Sequence, residues 1–106
     1  MSARDKFSRA LDSLFRCLGK DAVYIDDLLN EKDITVIPRL PEKFYELGDN
    51  HIHIEDPQFQ IRVSEVERPV FADLIVRDGI TYKINAEPVI DIHKLFWTCE
   101  CIRADP

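Results

Sequence analysis

At Gly19 the apolar pattern of this chain changes period. Upstream, Phe7, Ala10, Leu11, Leu14, Phe15 and Leu18 recur at helical spacing and fall on one stripe. Residues 3 to 18 are therefore predicted to form an amphipathic helix. Ser2 with Asp5 resembles a capping box at its start, and Gly19 is placed to end it in the left-handed conformation. Downstream the apolar residues come in short runs of β type. A lone helix followed by short strands must bury its stripe somewhere, either on the sheet of its own domain or on a neighbouring subunit.

The β-type runs are Ala22 to Ile25 and Ile34 to Ile37, the latter closed by Pro38. Leu28-Leu29-Asn30 between them fits either a turn of helix or a hairpin loop. Residues 38 to 50, PRLPEKFYELGDN, hold two prolines, a glycine and no period, which predicts a long loop, functional or mobile in character. His51 to Glu55 alternates, and so do Phe59, Ile61 and Val63 with Gln60, Arg62 and Ser64. Glu65 to Pro69 reads as a connection. From Ala72 to Ile84 a hairpin is expected with a three-residue turn, Arg77-Asp78-Gly79. That turn pairs Val76 with Ile80, Leu74 with Tyr82 and Ala72 with Ile84, all apolar, and puts Gly79 at a left-handed position. A two-residue turn would pair Asp73 with Ile84 and mix the faces. In the last strand Leu95, Trp97, Cys99 and Cys101 share one face. The expected fold is mainly β: a small antiparallel barrel or sandwich of about six strands with an N-terminal amphipathic helix. Residues 1–20 carry the helix and 21–106 the β unit, together one structural domain.

With 45% apolar and 32% charged residues among 106, the composition is that of a globular domain large enough for a core of its own. Neither a membrane span nor a signal-peptide core is visible, so a cytoplasmic protein is expected. The charge is uneven. Arg4, Lys6, Arg9, Arg16 and Lys20 against Asp5 and Asp12 give the first 20 residues +3, which leaves −9 for the rest of the −6 total. A body so acidic disfavours nucleic-acid binding. The basic helix suits either solvent or an acidic partner surface. Cys17, Cys99 and Cys101 are read as reduced, buried thiols.

One cluster could bind a metal. On a strand, His51, His53 and Glu55 would project from one face, with His93 as a fourth ligand. The spacing resembles the H-x-H…E pattern of cupins, although cupins place the Glu further on and have glycine-rich turns. The preferred reading is a polar strand face: no metal and no cofactor. The three glycines are isolated, each fits a cap or turn, and no nucleophile motif is present, so no catalytic residue is expected.

The stretches IHIEDPQFQIRVSEV (Ile52 to Val66), FADLIVRDGITYKI (Phe71 to Ile84) and VIDIHKLFWTCEC (Val89 to Cys101) resemble the head–tail joining, or tail attachment, proteins of lambda-type long-tailed phages. A strand with an early Phe runs into a polar connection. An Asp precedes an apolar strand, a hairpin carries a late aromatic, and the closing strand holds Trp. The helix and the long loop before the third strand also look similar. The central loop departs from the pattern in its Glu, Asp and His content.

The resemblance implies a structural connector, without catalysis, that forms rings, commonly of six copies, between portal or adaptor and tail. DNA would be a passing cargo of the lumen and no membrane would be involved. Such a protein would reside in the bacterial cytoplasm and then at the virion's head–tail junction. Partner contacts are expected from Phe44, Tyr45 and Leu47 on the loop and from Phe7, Leu11 and Leu14 on the helix stripe. Competing readings are a tail-tube or tail-terminator relative and a cupin-like metal-binding barrel using His51, His53 and Glu55.

Overall fold

Helix α1 occupies Ala3–Leu18, the span its stripe foretells. The computed structural model describes residues 3–39 and 57–104. Asp5 in the first turn and Arg16 in the last oppose the helix dipole favourably. The stop differs from the expected left-handed cap, since Gly79 alone among the described glycines has positive φ. The Gly19 N–H donates to the Phe15 carbonyl at 2.8 Å. A Cβ at Gly19 would lie 2.2 Å from that oxygen and 2.3 Å from Cγ2 of Thr35. Glycine is required there by the close approach of helix end and sheet, not by backbone handedness.

Among the described residues seven strands follow: β1 (Lys20–Ile25), β2 (Glu31–Arg39), β3 (Gln58–Arg62), β4 (Leu74–Arg77), β5 (Ile80–Ile84), β6 (Val89–Ile90) and β7 (Phe96–Arg103). They run in the order β3-β2-β1-β4-β5-β7-β6, and β3 also pairs with β7. All pairings are antiparallel. Six strands thus close a barrel, which removes the open edges a flat sheet would expose. Strand β7 makes the closure. One of its edges meets β3 along Phe96 to Glu100. The other meets the short β6 at Trp97 and Thr98, then β5 from Cys101 to Arg103.

The interior follows the period-2 rule. Ala22, Tyr24, Ile34, Val36, Phe59, Ile61, Ile75, Ile84, Cys99 and Cys101 are buried in one cluster. Tyr82 meets Phe59 edge-on, with ring centroids 5.1 Å apart. Burial pushes the Cys99 thiol up to about 12, helped by the charge of Asp73, and raises Cys101 as well. Both are inert packing groups, as expected. Cys17 departs from that expectation and is exposed on α1.

Two further expectations are corrected. The β4–β5 register is Arg77 opposite Ile80, Val76 opposite Thr81, Ile75 opposite Tyr82 and Leu74 opposite Lys83. This is the two-residue turn, with Asp78 at φ 56° and Gly79 at φ 78°, the paired positive values of a type I′ hairpin. Asp73 does face inward, opposite Ile84, to which it is joined by the Ile84 N–H donating to its carbonyl at 2.9 Å. Pro38 does not close β2, which continues through it to Arg39. Beyond Val36 the strand has no β1 partner and, among the described residues, pairs with β3 alone, so one edge can carry a residue without an N–H. Leu28-Leu29-Asn30 lies in the five-residue loop between β1 and β2.

Candidate functional site

The surface chemistry concentrates where α1 lies on the barrel. Leu11 and Phe15 are its buried residues. Arg62, at the end of β3, holds the helix from below. Its Nη1 meets Oδ1 of Asp12 at 3.1 Å, and its Nη2 meets Oε1 of Glu65 at 2.8 Å. Its guanidinium stands 4.8 Å from the Phe15 ring centroid, a cation–π contact. Glu65 in turn accepts the Thr35 N–H at 3.2 Å, tying the 63–66 connection to β2.

The N-terminal half of α1 rests on the loop from Asp91 to Leu95. The Phe7 ring packs against His93 with centroids 4.5 Å apart, and Nε of Arg4 donates to the His93 carbonyl at 3.2 Å. The Asp91 carboxylate shapes this loop by accepting from the N–H groups of His93 (2.9 Å), Leu95 (2.6 Å) and Phe96 (2.9 Å). Partial burial works to raise its pKa, but these three donors prevail and hold it below the usual carboxylate range.

The opposite flank of α1 is open. Leu14 and Leu18 remain 50% and 53% exposed. With Ile37 and Pro38 of β2 they wall an open groove of about 500 Å³, and Lys20 and Arg39 are the charged residues that line it. At the far end of the β1–β2 hairpin, Leu28 and Leu29 stand 77% and 76% exposed. Asp26 fixes this tip by accepting the N–H groups of Leu28 and Asn30, both at 2.9 Å, and the Asn30 side-chain amide at 3.2 Å. Those bonds lower its pKa, the Asn30 N–H foremost.

Of the residues expected to contact partners, Phe7 is half-buried against His93, Leu11 is buried on the barrel and Leu14 is at the surface. Phe44, Tyr45, Leu47, His51, His53 and Glu55 lie outside the described residues. His93 sits under the helix, and no cluster of three potential metal ligands occurs among the described residues. Sequence reasoning missed Leu28 and Leu29 as surface features. Their signal was present, because two leucines flanked by Asp26, Asp27 and Asn30 sit among turn-forming residues, where apolar side chains have no core to enter. Among the described residues no helix is long and apolar enough to cross a membrane.

A family model described as Phage Head-Tail Attachment protein matches residues 4–101, nearly the whole chain. No curated protein matches.

Proposed function

The chain belongs to the phage head–tail attachment protein family, and from that premise we propose that it works as a ring of copies between the portal or its adaptor and the tail. Its role in head–tail joining is structural, and the ring is hexameric. The observation that carries the self-association is the apolar flank of α1, where Leu14 and Leu18 stay at the surface while Leu11 and Phe15 anchor the helix. A monomer in water gains nothing from such a flank, whereas an assembly part covers it.

Phe44, Tyr45 and Leu47 supply a second set of contacts, docking on a neighbouring copy or on the tail. The acidic balance outside the helix suits a ring through which DNA passes, because like charge keeps the polymer from sticking. No catalytic group, metal or cofactor takes part. The protein is made in the host cytoplasm and ends at the head–tail junction of the virion.

The experiment is complementation of a phage deleted for this chain. Unjoined heads and tails are expected to accumulate, and the wild-type chain should restore joining. A Phe44→Ser/Tyr45→Ser variant should keep its melting temperature and β content while joining fails. Normal joining without the chain would refute the assignment. A large fall in melting temperature in the double variant would assign the two aromatics to the chain's own core.

A further inference from the structure

The two exposed apolar features at opposite ends of the β1–β2 hairpin complement each other. The tip presents Leu28 and Leu29 side by side, flanked by Asp26, Asp27 and Glu31. The groove at the other end is walled by Leu14, Leu18, Ile37 and Pro38, and the charged residues that line it among those described, Lys20 and Arg39, are both cationic. We infer that the Leu28-Leu29 tip of one copy seats in the Leu14–Leu18–Ile37–Pro38 groove of the next copy. This inference rests on the ring reading above and names the surfaces that would build it.

Three observations support a second copy as the occupant. The first is charge, since an acidic apolar knob meets a basic apolar groove. The second is distance. Lys20 pairs with Val36 at the groove end and Ile25 with Glu31 at the tip end, so the features are separated by the length of β1. Six residues of strand span about 17–20 Å, and a paired hairpin cannot fold its tip back into its own groove without unzipping. The third is rigidity. The tip is held by three hydrogen bonds to the Asp26 side chain and by the Leu29 N–H donating to the Asp26 carbonyl at 3.0 Å. Leu29 is kept at φ 65°, a conformation a leucine rarely adopts unaided. A knob already fixed in shape loses little entropy on seating. Because knob and groove are different patches, the contact is head-to-tail, the class that closes into rings when the rotation allows.

The test uses full-length chains carrying Cys17→Ser, which removes the exposed thiol; Cys99 and Cys101 are buried. One chain carries Leu29→Cys and the other Leu18→Cys. They are mixed, oxidised and run on a denaturing gel. A disulfide-linked dimer is expected from the mixture, and a ladder from a chain carrying both changes. Asp27→Lys/Glu31→Lys on the tip chain, which makes the tip net positive, should abolish the link, and Lys20→Glu/Arg39→Glu on the groove chain should restore it. Leu28→Cys with Leu14→Cys provides a second pair should either first variant fail to fold. Linking no stronger than that of a Glu87→Cys control, or linking indifferent to charge reversal, would overturn the inference. So would a Leu18→Cys groove that links to Phe44→Cys instead, which would assign the groove to the 40–56 segment. A chain required for joining but unlinked at these positions defeats this inference alone, whereas a dispensable chain defeats the connector reading.

Discussion

Inside the barrel the Tyr24 hydroxyl donates a hydrogen bond to the Asp73 carboxylate. The same oxygen accepts the Val70 N–H at 3.3 Å, so one side chain of β1 fixes the segment leading into β4. Burial, then the Asp73 hydrogen bond and charge, raises the Tyr24 pKa above its ordinary value, and the hydroxyl stays protonated. Asp73 is 5% exposed. Tyr24→Phe would keep the ring and strip the carboxylate of this donor. It should lower stability by about 1–3 kcal/mol, the usual penalty for a buried polar group left unsatisfied. A urea melt checks this, and the midpoint should fall with the slope unchanged.

Gly19→Ala tests the close approach of helix and sheet. The new methyl would meet a backbone oxygen and the Thr35 methyl, both inside van der Waals contact. Overpacking of this kind costs about 1–3 kcal/mol. Thr35→Ser in the same chain removes only the side-chain clash. The double variant should therefore regain part of the lost melting temperature but not all of it. Full stability in Gly19→Ala alone would show that the helix end stands away from β2.

Arg62→Ala should loosen α1 while leaving the barrel closed. The change removes the ion pairs to Asp12 and Glu65 and the stacking on Phe15. With Asp12 half-exposed, solvent weakens its share, and about 1–2 kcal/mol in total is expected. Amide exchange should speed up in Ala3–Leu18 far more than in the strands. Arg62→Lys should not rescue it, because an ammonium cannot serve both carboxylates and the ring together.

The Asp91 loop should be acid-sensitive. Its carboxylate is held below the usual range in the folded chain, so its contribution to stability is present above the unfolded pKa, about 4, and is lost as pH falls through the lower folded value. Amide protection at Leu95 and Phe96 should fall at that acid end while core amides of β3 keep theirs. Asp91→Asn should show the loosened loop at neutral pH and flatten the dependence.

Asp73 also explains where sequence reading went astray. A three-residue turn makes every cross-strand pair apolar, yet the inward face holds Asp73, supplied with a partner by Tyr24 from 49 residues away. A pairing of such separation leaves no trace in local alternation. Gly19 was legible as a stop but not in its reason, which needs Thr35 of another strand. The helix bounds and the inward faces of β3 and β7 were legible because period alone determines them. The candidate site was half legible. The stripe could be read from spacing, but which of its residues stay outside depends on how α1 lies against the barrel. The groove exists only once β2 is laid beside Leu14 and Leu18.

The double pairing of β7 imposes an order on biosynthesis. Strand β3 waits for Phe96 to Glu100 and β5 for Cys101 to Arg103, so neither has its closing neighbour until residues 96–103 have left the ribosome. From the completion of β5 at Ile84 until β7 emerges, the nascent chain therefore carries two unpaired backbone ladders. In a polysome crowded with identical copies, the rate at which this one strand emerges and docks decides between a finished barrel and strand exchange among neighbours.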